Sequence, residues 1–200
     1  MELENLLSLL TFLYIFFIGA LLLRLAPLEY VVTKSIIVNQ PKNVVFDHIR
    51  LIFRQREFSK FQITKRPTHI EFYGDDGLRD YKYRWDSRDW RIGSGLQKIR
   101  KVHLGEGIDT TLELFRPNPV KLKVKIFAEY VSDTQTRIVW KFFGEFRYPE
   151  NYVLWFYSMD IRYGIKMKRS LNTLKKILND PNYIPEIPLV VPPPPEPDLF

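Results

Sequence analysis

The hydrophobic pattern changes period twice along the chain. From Asn5 to Leu23 run 19 residues without a charge, mostly Leu, Phe and Ile. As a helix rising ~1.5 Å per residue, this block reaches ~28 Å, close to the hydrocarbon thickness of a bilayer. A helix buried in a domain is rarely apolar all round. A signal peptide has a basic start and a small-residue cleavage site. Here the start holds Glu2 and Glu4, and Arg24-Leu25-Ala26-Pro27 is a poor cleavage site. The block predicts one retained transmembrane span.

From Tyr30 the period drops to two. In "YVVTKSIIV", Val32, Lys34, Ile36 and Val38 share one face and Val31, Thr33, Ser35 and Ile37 the other, in a β-branched run that reads as a strand. Asn39 and Pro41 then open a short helix with Val44, Val45, His48 and Ile49 at helical spacing. A run of strands follows. "LRDYKYRW" sets Tyr81, Tyr83 and Trp85 against Asp80, Lys82 and Arg84. "GLQKIRKVHLG" and "IDTTLELFRP" come next, punctuated by glycine. "KLKVKIFAEYV" places Leu122, Val124, Ile126, Ala128 and Tyr130 opposite Lys121, Lys123 and Lys125, and "TRIVWKFFGEF" places Ile138, Trp140 and Phe142 opposite Arg137, Val139 and Lys141. Hairpin-length gaps make this an antiparallel meander with one wet and one apolar face. From about Glu150 to Asn179 the period becomes helical. Ile161, Gly164, Met167, Leu171, Leu174 and Leu178 form one face, which needs the apolar side of the sheet to cover it.

Residues 181–200 hold eight prolines and read as an extended tail. The organisation is therefore a membrane helix over 1–26, an α+β domain over 27–180 and the tail. Charge follows the same divisions. Of the net +7, residues 27–180 carry +11, against −1 before and −3 after. A basic domain beside a membrane points to anionic head groups. Nucleic acid, the competing partner, is not expected, because no helix-turn-helix, zinc-finger or RNP-type signature occurs. Arg24, Lys34 and Lys42 follow the span and no cation precedes it, which puts the domain on the cytoplasmic side. The chain has no cysteine, which excludes disulfides and thiolate chemistry.

Three stretches carry a family resemblance. "EYVVTKSIIVNQPKNVVFDHI" is similar to an opening strand plus "I-x-A-P-x-x-V-F" helix start. "YKYRWDSRDWRIGSGLQKI" is similar to a "Y-x-W-x-G…G-x-G" hairpin, with Gly93 and Gly95 as the G-x-G pair. "TQTRIVWKFFGEF" with "YGIKMKRSLNTLKKIL" is similar to a "T-x-V-x-W-x-x-x-G" strand and "G…L-x-x-L-K" helix. Over roughly 30–179 the chain resembles the START-like (SRPBCC) superfamily, closest to its polyketide cyclase/dehydrase-type branch, whose members often carry an N-terminal membrane helix. It departs at "RQREFSKFQITKRP", where relatives are Trp-rich, and at Asp86 or Ser87, where they have glycine. The resemblance implies a helix-grip fold, a sheet wrapped around a long C-terminal helix, with a cavity between them that holds lipids, sterols, quinones or polyketides in relatives. Tyr81, Tyr83, Trp85, Tyr130, Trp140 and Phe142 would face that space from the sheet, and Tyr157, Tyr163 and Met167 from the helix. Core filling is the alternative role for such an aromatic face. Gly164 marks a close helix–sheet approach or a merely tolerated glycine.

Chemistry is sparsely marked. His48, His69 and His103 lack metal-ligand spacing. "GDDG" at 74–77 reads as a turn. Tyr83, Asp160 and Tyr163 could form an acid–base set inside the cavity, though nothing in the spacing demands it. The three-lysine comb at 121–125 reads as a solvated strand face, or one turned to lipid or an acidic partner. The expectation is a non-catalytic, membrane-anchored domain that takes an apolar ligand of lipid or quinone type without a cofactor, or serves as accessory subunit of a membrane complex with the tail as docking segment. A cyclase/dehydrase-type enzyme and a structural module with a filled cavity are the alternatives.

Overall fold

The computed structural model describes residues 2–61, 68–90, 92–117, 119–180 and 182. Helix α1 spans Glu2–Leu25. Its Leu3–Leu21 window is long and apolar enough to cross a membrane, and none of it is buried against the domain. After β1 (Glu29–Val38), α2 (Lys42–Ile49) and α3 (Ile52–Phe58) come six strands: β2 (Thr68–Tyr73), β3 (Lys82–Ser87), β4 (Ser94–His103), β5 (Gly107–Arg116), β6 (Val120–Ser132) and β7 (Gln135–Glu145). The described elements close with α4 (Val153–Phe156), a π-turn at Asp160–Gly164 and α5 (Ile165–Leu178).

The seven strands form one antiparallel sheet in the order β1-β7-β6-β5-β4-β3-β2, so the first strand closes onto the last. The two-residue period decides which side is covered. Val32 and Val38, Ile138 through Phe142, and Leu122 through Ala128 at alternate positions are buried, and the intervening residues are more exposed, apart from Val139, which is buried too. The outward lysines are matched across strands. Lys121 lies 2.5 Å from Glu113 and Lys125 3.5 Å from Asp109. Such surface pairs add at most about 1 kcal/mol each, so this face is solvated rather than stabilising. Strand β2 is not announced by the sequence pattern; it is a short edge strand that completes the sheet beside β3.

Helix α5 lies on the inner face along Met167, Leu171, Leu174 and Leu178, all buried. Each such side chain contributes roughly 1.5–3 kcal/mol on removal from water. Its last turn is tied to the end of β1. Asn39 N–H donates to Asn179 Oδ1 at 2.9 Å, and Gln40 Nε2 donates to the Leu178 carbonyl at 2.6 Å, which satisfies groups a helix end leaves bare. The expected helical face is corrected in two places. The backbone turns extended at Tyr157, so the helix is not continuous from Glu150. The π-turn then takes an extra residue per turn, so Met159, Tyr163 and Gly164 turn inward while Ile161, 66% exposed, points to solvent. Gly164 is a close approach. A Cβ there would lie 2.7 Å from Lys34 Cε and 2.6 Å from Asp160 Oδ1, the two halves of the ion pair that spans the crossing of helix and β1.

The "GDDG" stretch is the expected turn, with Gly74 and Gly77 at positive φ. It also has a second task. The Asp76 carboxylate accepts from the N–H groups of Ile52 and Phe53, at 2.8 Å each, and so caps α3 from a distant loop. The tail from 183 onward, including the residues expected to dock, lies outside the described residues.

His48 belongs to the core, 1% exposed on α2 with its ring 6.0 Å from Phe58. Burial, and then the charge of Arg54, lowers its pKa from 6.5 to about 4. The unfolded chain therefore takes up a proton below 6.5 that the fold refuses, and stability falls as pH drops through that window. At pH 5 this group alone should cost about 2 kcal/mol relative to pH 7.5. The denaturation midpoint of His48→Gln should fall less steeply between these pH values than that of the parent; equal slopes would refute the assignment.

Candidate functional site

Between α5 and the sheet, the apolar faces do not meet everywhere. Toward β4, β5 and β6 they enclose a cavity of about 380 Å³. Trp85, Leu112, Leu122, Val124, Trp140 and Phe142 form its sheet wall, and Phe61, Ile92 and Tyr163 close it from the other side. The aromatics brace one another. Trp140 meets Phe142 edge-on at 5.4 Å, and Phe61 packs 5.2 Å from Phe142 and 6.0 Å from Trp140. Tyr83 stacks behind Trp85 at 5.5 Å.

The deep end is polar. Gln55 and Gln97 line it, each 4% exposed. Gln97 Nε2 donates to Gln55 Oε1 at 3.2 Å and approaches Thr110 Oγ1 at 3.5 Å, while Gln55 Nε2 donates to the Ile49 carbonyl at 3.0 Å. The mouth is cationic, with Lys60, Arg116, Arg162 and Lys166 in the lining. Arg116 is committed to Asp86 and to Ser94. Lys60, Arg162 and Lys166 have no carboxylate partner among the described residues. Instead, the Arg162 guanidinium sits 5.6 Å over the Tyr163 ring and the Lys166 ammonium 5.7 Å over Phe61.

Of the residues expected to line the space, Trp85, Trp140, Phe142 and Tyr163 do so. Tyr81, Tyr83 and Met167 are buried in the adjoining core and do not reach it. Tyr130 and Tyr157 are corrections. Tyr130 has the inward parity, but it lies past Ala128, the last residue the helices cover, and is 64% exposed with its hydroxyl donating to Asp133 in the hairpin. Tyr157 is exposed where the backbone leaves α4. The acid–base set does not assemble either, since Asp160 pairs with Lys34 and Tyr83 is sealed in the core. A second depression, of about 390 Å³, borders Lys42, Glu106, Phe127, Tyr130 and Lys141. It is more open, and Lys42, Glu106, Glu129 and Lys141 make half of its lining charged, so the aromatic cavity is the more enclosed and more apolar of the two.

Sequence reasoning missed the polar floor and the cationic mouth. Gln97 left a signal, because it sits at an inward position of its strand, between Gly95 and Ile99, where an apolar residue is expected. Arg162 and Lys166 fall outside the apolar face of the helical pattern and gave none.

No protein-family model and no curated protein matches the chain. Solved structures do. A hypothetical protein from Helicobacter pylori superposes with a TM-score of 0.53 at 11% identity, covering 74% of this chain and 88% of its own. A protein from Mycobacterium smegmatis gives 0.51 at 12%, covering 75% and 91%. The Aha1 dimer from Colwellia psychrerythraea gives 0.50 at 11%, covering 76% and 97%. Likeness at such identities is one of fold. The sheet, the C-terminal helix and these neighbours define a helix-grip domain, here preceded by one apolar helix.

The wall depends on one glycine. A Cβ on Gly95 would lie 2.5 Å from Trp85 Cζ2 and 2.7 Å from the Glu113 carbonyl, so the indole lies flat on this residue. Gly95→Ala should cost about 1–3 kcal/mol and shift tryptophan emission. In a Trp85→Leu background the cost should shrink, because part of the clash is gone. An undiminished cost in that background would show that the indole does not rest there.

Proposed function

We propose that this is a membrane-anchored helix-grip domain that binds, without chemistry, one amphiphile with an apolar body and an anionic head. The carrying observation is the cavity itself, with an aromatic wall and a mouth bearing three cations that no described carboxylate neutralises. Burial of the body supplies affinity, about 0.8 kcal/mol per CH₂. The cations hold the head and favour a lipid anion over a neutral quinone. Gln55 and Gln97 suit a carbonyl or hydroxyl at the buried end of the ligand. The described lining contains no carboxylate or imidazole, which favours binding over cyclase/dehydrase-type acid–base catalysis. A volume of this size weighs against a purely structural module with a filled cavity. The exposed apolar α1 supports the anchor, and the basic flank after it supports a cytoplasmic domain. Tail 181–200, acidic beside a basic body, is the segment proposed to dock on a membrane-protein partner.

Native mass spectrometry of the purified chain should find an anionic amphiphile. Lys60→Gln and Lys166→Gln should each weaken its binding about fivefold, the equivalent of about 1 kcal/mol per cation, while Lys123→Gln on the outer face leaves it unchanged. Recovery of only neutral molecules, or equal effects of all three substitutions, would refute the assignment. Deleting 181–200 should preserve both the bound amphiphile and the melting temperature but lose partners in a pull-down from solubilised membranes. A deletion that melts markedly lower and keeps the same partners would place the tail in the fold instead.

A further inference from the structure

The segment between β7 and the π-turn exposes rings in succession. Tyr148, Tyr152, Trp155, Phe156 and Tyr157 are all exposed, Phe156 to 82%, and Ile161 extends the patch. Single exposed apolar residues are ordinary, but a continuous aromatic run marks a contact surface. Its position identifies what it meets. Asn151, fully buried, donates from Nδ2 to the Ala26 carbonyl at 2.9 Å, and Phe146 N–H donates to the Leu28 carbonyl at 2.8 Å. The patch is thus fastened to the residues that directly follow α1, and exposed Leu25 and Leu28 continue it toward the helix.

We propose that this patch docks on the bilayer that α1 crosses. The inference rests on the reading of α1 as an anchor. Trp and Tyr rings beside cations are the composition of the membrane–water interface. Arg162 supplies the charge, lying 6.0 Å over the Tyr157 ring, and Arg147 is exposed nearby in sequence. Arg162 and Tyr163 also line the cavity, so docking turns its mouth toward the head groups. The sheet register agrees. Leu114 pairs with Val120, and Leu122 with Gly144 and through it Tyr30, so the mouth lies at the sheet end where α1 leaves.

The absence of cysteine allows single labels on the full chain. Phe156→Cys, Phe12→Cys and Leu104→Cys, each carrying an environment-sensitive fluorophore, would be reconstituted into phosphatidylcholine–phosphatidylglycerol vesicles containing spin-labelled lipid. Leu104 is the control, 87% exposed on the β4–β5 hairpin at the opposite end of the sheet. The Phe156→Cys and Phe12→Cys labels should shift blue and lose most of their emission, and the Leu104→Cys label should keep both. Quenching at Phe12→Cys with none at Phe156→Cys leaves the anchor intact and overturns the docking. A Phe156→Cys label that shifts blue without quenching is covered by protein, a second copy or a partner, and also overturns it. A silent Phe12→Cys label overturns the anchor and, with it, docking on a bilayer that α1 crosses.

Discussion

One helix is too narrow for the sheet it covers. A helix with its side chains is about 10–12 Å across, whereas seven strands at ~4.8 Å spacing extend ~29 Å between the outer pair. The apolar inner face therefore has to curl, to be covered by other elements or to stay uncovered. The molecule uses each solution in a different place. The first strand pairs with the last, so the sheet bends around α5 at the β1–β7 side. Helices α2 and α3 cover the sheet end nearest Val38, where Val45, Ile49, Ile52 and Phe58 join the core. Over β4 to β6, nearer the end of α1, the described elements leave part of the inner face uncovered, and the cavity lies there.

The same geometry explains the polar residues on a face that should be apolar. A buried amide without a partner costs about 1–3 kcal/mol, so each one needs a local account. Thr136 is fully buried and donates to the Gln40 carbonyl, joining β7 to the turn before α2. Lys34 has inward parity but reaches the π-turn that precedes α5, where Asp160 meets it. That pair is half exposed and adds little to stability; its consequence is to hold the first turn of the helix over Gly164. Gln55, Gln97 and Thr110 answer one another at the cavity floor. An apolar set would have filled that volume with less risk, and on the proposed binding the polar group has a ligand atom to bond.

Strands with two-residue alternation, such as β3 with Tyr83 and Trp85 or β7 with Trp140 and Phe142, were legible in the sequence because burial and periodicity coincide there. The inward stripe of α5 from Met167 to Leu178 was legible for the same reason. Three features were not. The π-turn slips the helical phase by one residue, so extrapolating the stripe backward lands on Ile161, which faces water, and misses Met159. Tyr130 keeps the parity of β6, but parity does not say where the helical cover stops. The mouth was hidden for a different reason. Arg162 and Lys166 are solvent-facing residues that any helix carries, and only the fold shows that the solvent beside them is the opening of a cavity.

The arrangement bears on how an amphiphile would reach the site. Carrying an acyl chain through water costs about 0.8 kcal/mol for each methylene exposed, a barrier that grows with every carbon. A mouth held against head groups removes most of that path. Tyr30 connects the two regions, since its ring lies 5.8 Å from Phe146 and stacks within 3° of Tyr163 at 6.2 Å. The chain of contacts from the end of α1 to the cavity lining is therefore short and aromatic. On the proposed docking, the anchor does more than raise local concentration. By fixing the patch at the interface, it sets the orientation of the mouth, and the cations around Arg162 can exchange a head group with the bilayer before the body leaves the apolar phase.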